Sequence, residues 1–439
     1  MAEKVEFYRE TEFKDTEIGR IPKEWEVVKL GEVCTKIKAG GTPLTSKKEY
    51  YNGNIPFVKI EDMTSSYKYI KSTLTSITEA GLKNSSAWLV PVKSLLVAMY
   101  GSIGAIAINE IEVATNQAIL AILPNNEKTN VEFLFYLLTH LKPLLKKHAK
   151  QTTQANLTAE IIKNFKIALP NYFEQQRIAE ILSTVDKAIQ KTDDIIAKTE
   201  RLKKGLMQDL LTKGIGHKEF KDTEIGEIPK EWEVKKIREI GELSRGLSYR
   251  GHEKFAEEVS GGYLFLTLNS IKEGGGLKED GWSWIRTDRL RERHFVREGD
   301  IVIANTEQSK DGSLLGSPAL VHFPSWYKKD VAVYSHHISK LQLNINLYNQ
   351  FLFYYLSHVQ PLARKYYTGT GVWGLNLDAW SNELLIPLPP FEEQQKIAEI
   401  LSTVDKKLEI LKQEKLKLER IKQWFMEELL TGRIRVRVA

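Results

Sequence analysis

The chain has 439 residues, of which 42% are hydrophobic and 27% charged, the ordinary composition of a folded globular protein. The 63 Lys and Arg residues exceed the 57 Asp and Glu residues by six, which permits an acidic partner without establishing one. The single cysteine, Cys34, excludes an internal disulfide framework and fits a reducing compartment. No secretory signal or membrane-spanning run is found, so we expect a soluble cytoplasmic protein.

The chain begins with an element that occurs twice. Residues 12–27 read EFKDTEIGRIPKEWEV, and residues 219–234 repeat them with one change, from Arg20 to Glu227. Two further pairs of segments match closely: FLFYLLTH with FLFYYLSH at residues 133–140 and 351–358, and EQQRIAEILSTVDK with EQQKIAEILSTVDK at residues 174–187 and 393–406. Such a repeat predicts that the same frame is built twice.

Between the repeated elements, residues 30–130 and 237–348 hardly resemble each other. A duplication that was merely drifting would spread its differences along the whole chain. The alternation of near-identity with divergence therefore favours two fixed frames that carry two different globular regions. Both regions contain β-type segments broken by Gly, Pro and Asn, as at residues 54–59, 95–99, 105–108, 263–268 and 300–304.

The repeats predict a division of the chain into successive segments. These are a first frame element (1–29), a first globular domain (30–170), a first long helix (171–213), a second frame element (214–236), a second globular domain (237–389), a second long helix (390–432) and a basic C-terminal tail (433–439).

Both long segments carry apolar residues at alternating steps of four and three, the heptad pattern of paired helices. Pro170 and Pro390 precede the helices, and Gly214 and Gly432 follow them, as expected at helix starts and stops. A helix of about forty residues is a rod of roughly 60 Å. The predicted helix-pairing residues are Ile178, Leu182, Val185, Ile189, Ile196, Leu206, Ile397, Leu401, Val404, Leu408, Leu411, Leu418 and Phe425.

One such helix cannot bury its apolar stripe alone, so we expect the two to form an antiparallel intramolecular coiled coil with the globular regions at opposite ends. A parallel pair would place both regions at one end, and each helix could instead pack only on its own domain or on a partner protein. The predicted fold is α+β, with two mixed α/β domains, two long antiparallel helices and a pseudo-two-fold internal repeat.

Basic, aromatic and amide residues cluster in the turns of both globular regions. Lys and Arg neutralise phosphates, amides and hydroxyls can hydrogen-bond base edges, and glycine lets a loop approach a duplex closely. One such cluster is usually a solvated surface, but its recurrence in both regions favours DNA binding. The predicted DNA-binding residues are Lys36, Lys38, Gly40, Gly41, Thr42, Lys47, Lys48, Tyr50, Asn52, Lys68, Lys146, Lys147, Lys150, Gln151 and Gln154 in the first region, and Arg245, Ser248, Tyr249, Arg250, Arg289, Arg291, Arg293, Lys310, Arg364, Lys365, Tyr367, Thr370, Trp373 and Asn376 in the second.

Sequence signals for catalysis fail in their context. Residues 369–374 match the dinucleotide fingerprint but follow a predicted helix and lack a βαβ unit. Leu388 stands where the Pro-Pro-aromatic motif of DNA amino-methyltransferases has its Asn or Asp. The adjacent His336 and His337 have no further ligand at metal spacing. We therefore predict no catalytic residue and no metal site in this chain.

The duplicated IP-x-EW-x-V element, the EQQ-(R/K)-IAEILS-x-VD helix starts and the GGTP turn at residues 40–43 together resemble the specificity subunit of type I restriction–modification systems. The FLFY helices and the Gly-Asp-Ile-Val segment at residues 299–302 are also similar to that family's pattern. The resemblance covers essentially the whole chain.

The resemblance implies a DNA-recognition subunit that has no catalytic activity itself. Each globular region would be a target-recognition domain for one half of a bipartite sequence in double-stranded DNA, and the helices would set the spacer and dock two modification subunits. In that family the modification subunits methylate adenine, and two motor-nuclease restriction subunits complete the complex. S-adenosylmethionine, ATP and Mg are therefore expected on the partner subunits, and no cofactor on this chain.

Two other functions remain open from the residues alone. A coiled-coil scaffold that binds proteins would show no salt-dependent affinity for DNA, whereas a protein that neutralises phosphates must show it. A self-contained DNA-modifying enzyme would need a cofactor loop, which the sequence lacks. Trp25 and Trp232 of the EW elements are equally consistent with core and interface positions.

Overall fold

The computed structural model describes residues 5–150, 156–307, 312–369 and 373–438, without the side chains of Val5, Lys150 and Val438. The chain divides into two compact units. Unit 1 is Met1–Asp193 with Gln413–Ala439, and unit 2 is Asp194–Lys412. Each unit therefore contains one frame element, one variable region and part of both long helices.

Unit 1 combines strands with short helices. Its helices, apart from the long ones, are Ile60–Ser65, Glu79–Lys83, Val131–His140, Lys142–Lys150 and Ala159–Asn164. Its strands are Val5–Arg9, Phe13–Thr16, Gly19–Pro22, Glu26–Lys29, Cys34–Ala39, Tyr51–Val58, Tyr69–Ile70, Thr75–Ile77, Leu95–Ala98, Ile106–Asn109, Ala114–Thr115, Ile119–Pro124, Lys166–Leu169 and Ile434–Val438.

Unit 2 has the same α+β character. Its short helices are Ile237–Ile240, Asn349–Val359 and Leu377–Glu383, and Gln360–Tyr366 is a 3-10 helix. Its strands are Phe220–Thr223, Gly226–Pro229, Glu233–Lys236, Gly241–Arg245, Lys254–Phe255, Tyr263–Leu266, Ser283–Ile285, Phe295–Arg297, Ile301–Ala304, Thr306–Glu307, Pro318–Leu320, Val331–Tyr334, Ile338–Leu343, Tyr367–Thr368, Trp373–Leu375 and Leu385–Leu388. The first long helix is Tyr172–Thr212 and the second is Phe391–Leu430, so both predicted helices are confirmed.

The variable regions of the two units share a sheet core. In unit 1, Cys34–Ala39 pairs antiparallel with Ile119–Pro124, which pairs antiparallel with Leu95–Ala98. The last of these strands is buried at every residue, which explains its unbroken apolar sequence.

Unit 2 repeats this order with a different sequence. Gly241–Arg245 pairs antiparallel with Ile338–Leu343, which pairs antiparallel with Ile301–Ala304. Ile301–Ala304 is again fully buried. The predicted mixed α/β regions are therefore confirmed, and they have a common sheet core despite their divergent sequences.

The EW elements fix the beginnings of the long helices. Trp25 and Trp232 are both 0% exposed. The indole Nε1 of Trp25 donates to Glu174 Oε2 at 3.2 Å, and that of Trp232 donates to Glu393 Oε2 at 3.0 Å. Each carboxylate lies in the first turn of a long helix, where the helix dipole favours negative charge. Both tryptophans are therefore core residues of the frame.

The segment predicted as a basic C-terminal tail is a strand. Ile434–Val438 pairs antiparallel with Val5–Arg9. Arg435 is 2% exposed, and its Nε and Nη2 donate to the Glu174 carboxylate at 2.5 and 2.9 Å. Arg437, two residues further on, is exposed. The prediction of a solvated tail is wrong because carboxylates from distant parts of the chain neutralise the charge of buried Arg435. The sequence gives no sign of these partners.

The two long helices run antiparallel to each other, as predicted. Ion pairs join the two helices within each unit. Successive pairs use higher residue numbers on the first helix and lower ones on the second, which shows the antiparallel direction. Those in unit 1 are Asp186–Lys422 and Asp193–Lys415, and those in unit 2 are Glu200–Lys412 and Lys203–Asp405, with distances from 2.6 to 3.2 Å.

The apolar residues predicted to pair the helices lie at buried or half-buried positions. Ile178, Leu182, Ile189, Ile397, Leu401 and Leu408 are buried, and Val185, Ile196, Leu206, Val404, Leu411, Leu418 and Phe425 are half-buried. In each unit, the beginning of one long helix and the end of the other share a hydrophobic core with the variable region. Each helix therefore packs both on the other helix and on a globular domain.

A Tyr–Asp–Lys group in each unit ties the FLFY helix to both long helices. In unit 1 the hydroxyl of Tyr136 donates to Asp186 at 2.6 Å, and Lys422 pairs with the same carboxylate at 2.7 Å. The corresponding residues of unit 2 are Tyr354, Asp405 and Lys203, with distances of 2.8 and 2.6 Å. Because one carboxylate joins three helices, each group fixes a globular domain on the helix pair.

Candidate nucleic-acid interface

The predicted glycine turn of unit 1 is held against a second turn by backbone hydrogen bonds. The N–H of Gly40 donates to the carbonyl of Ile119 at 3.1 Å, and the N–H of Gly41 donates to that of Thr115 at 2.9 Å. The second turn, residues 115–118, connects two strands of the variable region. The two turns therefore form one rigid surface that carries Thr42.

Unit 2 contains the same arrangement. The N–H of Gly246 donates to the carbonyl of Ile338 at 3.2 Å, and the N–H of Leu247 donates to that of Tyr334 at 2.8 Å. This pattern aligns Ser248 with Thr42 of unit 1, and residues 334–337 with residues 115–118.

Further backbone hydrogen bonds extend the equivalence. In unit 1, the backbone N–H groups of Asn116, Met99 and Leu157 donate to the carbonyls of Val58, Ala118 and Met99, respectively. In unit 2, those of Ser335, Asn305 and Leu375 donate in the same order to the carbonyls of Leu266, His337 and Asn305. Gln117 therefore corresponds to His336. Leu157 of unit 1 likewise corresponds to Leu375 of unit 2. The predicted basic cluster that follows residue 142 in unit 1 and the one that precedes Asn376 in unit 2 therefore lie at equivalent positions in their domains.

The glycines of these turns have a packing role. Gly40, Gly41 and Gly246 are buried, and a Cβ at Gly40 would lie 2.0 Å from the carbonyl oxygen of Thr115. A Cβ at Gly246 would lie 2.2 Å from the carbonyl oxygen of Tyr334. Because no side chain fits there, the glycines let the turn pack on the protein's own backbone. The predicted DNA contact by Gly40 and Gly41 is thus corrected to an internal contact.

The second turn contributes polar side chains that the sequence did not predict as DNA-binding residues. Gln117 is exposed, and its side-chain oxygen accepts a hydrogen bond from the hydroxyl of Thr42. The ring of His336 lies 5.9 Å from that of Tyr249, and His337 Nδ1 lies 2.8 Å from the hydroxyl oxygen of Thr306. No basic run surrounds Gln117, and in the sequence the histidine pair resembles only an incomplete metal site. The structure reveals these residues through their shared backbone position.

Unit 2 brings its two predicted clusters together. A polar cavity of about 790 Å³ is lined by Arg238 and Arg245 together with Thr368 and Asn376. Trp373 stacks near Tyr367 at 4.1 Å between ring centroids, on strands that pair with each other. The convergence creates a groove with cationic, hydroxyl and amide groups, which are the groups that contact phosphates and bases.

Unit 1 has cations at corresponding places. Lys36 and Lys38 project from the strand that leads into the glycine turn, and Lys36 Nζ lies 4.1 Å from the Trp88 ring centroid. Lys146 and Lys147 are exposed on helix Lys142–Lys150. These side chains could reach phosphates on either side of the turn that carries Thr42.

The other predicted DNA-binding residues fall into three groups. The exposed group consists of Lys47, Lys48, Asn52, Ser248, Arg250, Arg289, Arg291, Arg293, Arg364, Lys365 and Asn376. The half-buried group consists of Tyr249, Tyr367 and Trp373. Gln151, Gln154, Lys310 and Thr370 lie outside the described residues, as does the side chain of Lys150.

Lys68 and Tyr50 are buried, contrary to the prediction. The side chain of Lys68 is 3% exposed, and its Nζ donates to Glu132 at 2.8 Å and to Tyr136 at 3.0 Å. Burial lowers the pKa of Lys68, and the carboxylate of Glu132 opposes this shift. Tyr50 is 8% exposed. Lys68 is buried because polar partners from distant segments surround it. Both side chains belong to the domain interior and are not available to a phosphate.

Arg289 is exposed, but its guanidinium forms an ion pair with Glu253 of the same unit. Its Nε donates to Glu253 Oε1 at 3.1 Å, and its Nη2 donates to Oε2 of the same carboxylate. The hydrogen bonds from Arg289, the backbone of Arg250 and Thr287 lower the pKa of Glu253 to about 2. Glu253 thereby organises the arginine-rich loops that begin at Arg250 and Thr287.

Other site types are not found in the described ranges. Across them, no group of three His, Cys, Asp or Glu side chains is arranged to hold a metal ion. Nor does any described helix have the length and apolarity to cross a membrane. The polar turns and the cations beside them are the clearest candidate interface in each unit.

Two variable domains on a repeated frame, each with an equivalent polar surface, define a tandem-domain recognition protein. Residues 22–201 and 229–420 both match the family described as "Type I restriction modification DNA specificity domain". The chain belongs to this family of specificity subunits, and it carries two recognition domains.

Relatives of similar length support the assignment. The chain is 30% identical over 440 residues to the type I restriction enzyme MjaVIII specificity subunit of Methanocaldococcus jannaschii, covering 99% of this chain and 98% of the relative. It is 31% identical over 451 residues to the putative MjaX specificity subunit of the same organism, covering 99% of both chains. The similarity therefore spans both frames and both variable regions.

Solved structures share the fold. A chain from a study of complex assembly and conformational transition of the type I R-M system matches with a TM-score of 0.57 and 18% identity, covering 94% of this chain and 99% of that chain. The type I restriction–modification S subunit from M. genitalium matches with a TM-score of 0.54 and 16% identity, covering 92% and 96%. At this identity, the likeness concerns the fold.

Proposed function

We propose that this chain is the non-catalytic DNA-specificity subunit of a type I restriction–modification complex and that each variable region reads one half of a bipartite target. One observation carries the proposal: equivalent turns in the two units present different side chains. Thr42 and Gln117 in unit 1 stand where Ser248 and His336 stand in unit 2. A constant scaffold with two different sets of polar groups suits a target whose two halves differ in sequence.

The cations around each surface would supply affinity. Lys36, Lys38 and Lys147 are exposed in unit 1, and Arg245 and Arg364 are exposed in unit 2. Contacts of Lys and Arg with phosphates fix a protein on the duplex but carry no sequence information. Specificity would then come from the hydroxyl, amide and imidazole groups between the cations.

The helix pair would set the spacer between the half-sites. The Asp186–Lys422 and Lys203–Asp405 pairs fix the register of the two helices within each unit. One heptad added to both helices at matching positions adds about 10 Å of length, which corresponds to about three base pairs. The preferred spacer should lengthen accordingly.

We expect exposed faces of the long helices to dock the two proposed modification subunits. On the second helix, Leu416, Ile421 and Trp424 of unit 1 are 54%, 44% and 50% exposed. Exposed large apolar side chains of this kind are candidates for burial by a partner. Two restriction subunits would complete the assembly in the cytoplasm, with S-adenosylmethionine, ATP and Mg bound by the partners.

A selection from random-sequence DNA duplexes tests the proposal. The purified chain should enrich a two-part motif with a fixed gap, and its affinity should fall steeply between about 50 and 200 mM salt because phosphate contacts release counterions. A protein scaffold would enrich no motif and show no salt-dependent affinity. Binding of labelled S-adenosylmethionine to the isolated chain would instead support a self-contained enzyme.

A further inference from the structure

The second turn of each variable region is rigidly held. In unit 1, Thr115 and Ala118 flank the turn and accept backbone hydrogen bonds from Gly41 and Met99. Bonds from the segments that follow two different strands, Cys34–Ala39 and Leu95–Ala98, thus fix the turn on both sides. The turn of unit 2 is held in the same way, so the residues at its tip project from a defined position, as accurate recognition of a base edge requires.

Gln117 lies at this tip in unit 1. It is exposed, whereas its neighbours Thr115 and Ala118 are buried. The hydroxyl of Thr42 donates to its side-chain oxygen and orients the amide. An amide carries both donors and an acceptor, and glutamine matches the N6 and N7 edge of adenine in the major groove.

His336 occupies the same backbone position in unit 2. Its ring lies 3.9 Å from the ring of His337 and 5.9 Å from that of Tyr249. An imidazole offers both a donor and an acceptor nitrogen in its neutral form. It can therefore recognise a base edge, but with a different hydrogen-bonding pattern from that of an amide.

Buried polar atoms without a partner surround the turn of unit 2. Within the residues that the structure describes, Nδ1 of His336, Oγ of Ser335 and Oδ1 of Asn305 have no hydrogen-bond partner. Ser335 is 0% and Asn305 is 1% exposed. Native proteins satisfy nearly all buried polar groups, so these atoms are available to a water molecule or to a bound partner.

Cations flank both positions. Lys38 lies two residues before Gly40, and Arg245 directly precedes Gly246; both cations are exposed. A side chain that reads a base must lie within reach of phosphate contacts that hold the protein in register. The two turns meet this requirement through the strands that lead into the glycines.

We infer that Gln117 and His336 are equivalent specificity-determining residues, each of which reads a base pair in one half of the target. The inference rests on the proposed function and deepens it, because it assigns the reading position within each domain. Thr42 positions Gln117, and Tyr249 packs beside His336.

The test repeats the selection from random duplexes with variants of the full chain. Gln117→Ala should abolish the preference at one base pair of one half-site and weaken binding to the wild-type motif by roughly 5- to 150-fold, the range for one base contact. His336→Ala should act on the other half-site alone. Affinity for random DNA should not change in either variant.

Matched controls separate base recognition from general damage. Gln190→Ala changes an exposed glutamine of unit 1, and His322→Ala changes an exposed histidine of unit 2; both should select the wild-type motif. Gln117→Asn and His336→Gln keep a polar side chain and should alter the selected base without reducing affinity for random DNA, which also excludes misfolding.

The outcomes distinguish this inference from the proposed function. A wild-type chain that enriches no motif would overturn both. A wild-type two-part motif that stays unchanged in Gln117→Ala and His336→Ala, or one that weakens equally in both half-sites, would overturn the reading positions while leaving the proposed function intact.

Discussion

Replacement of Arg435 by methionine should strongly destabilise unit 1. Arg435 and Glu174 are each 2% exposed, and the guanidinium also contacts Glu10. Arg435→Met leaves these carboxylates without their buried cation, and removal of one partner from a buried ion pair costs about 3–5 kcal/mol. For a unit of about 200 residues, that loss corresponds to a fall in Tm of about 6–20 °C.

Calorimetry of the full chain measures the effect, and hydrogen exchange at strand Val5–Arg9 assigns the transition to unit 1. Arg437→Met is the matched control, because Arg437 lies on the same strand and pairs with exposed Glu6 at 2.8 Å. Its Tm should equal that of the wild type. Equal falls for Arg435→Met and Arg437→Met would refute the reasoning.

Three further predictions concern the helix frame, the arginine loops and the DNA surface. Asp186→Asn should destabilise unit 1 by about 1.5–3 kcal/mol in urea unfolding, since it weakens charge-assisted hydrogen bonds to a buried carboxylate. Asp209→Asn, which changes the exposed Asp209–Lys213 pair, should have little effect. Equal losses of stability in the two variants would contradict this prediction. The pKa of Glu253, about 2, lies below its ordinary value of 4.5, so its carboxylate stabilises the fold above pH 4.5 and loses this effect as the pH falls towards 2. Wild-type stability should therefore decline more steeply over that range than that of Glu253→Gln, and parallel curves would exclude the role. Lys147→Ala should reduce the slope of log K against log salt by about 0.9 without changing the selected motif; an altered motif would instead make Lys147 a base-reading residue.

The frame could be predicted from the sequence because its signals are local and duplicated. The heptads predicted the long helices to within two residues at each end, and Pro170 and Gly432 marked a helix start and a helix stop. The pairing of the helices followed from the need of each to bury its stripe, and their antiparallel direction followed from the expectation that the globular regions lie at opposite ends. Even the unbroken apolar run at Leu95–Ala98 reflects a strand that is covered on both faces.

The recognition surface was less predictable because it depends on backbone contacts between distant segments. The equivalence of Gln117 and His336 is defined by hydrogen bonds that leave no common sequence. Lys68 looks like a solvated cation in the sequence, yet partners on two other segments bury it. Arg435 is buried for the same reason, since its carboxylate partner Glu174 lies far away along the chain.

A methylation map tests the proposed role most directly. The chain would be co-expressed with its presumed modification subunit in a host that lacks DNA methylation, and the genome would be sequenced by a method that detects methyladenine. We predict a new two-part motif with a fixed gap that disappears when this chain is omitted, and that changes in one half only when the variable region of one unit is exchanged. A complex that forms but methylates no motif, or a motif that is the same without this chain, would contradict the assignment of sequence recognition to these two domains.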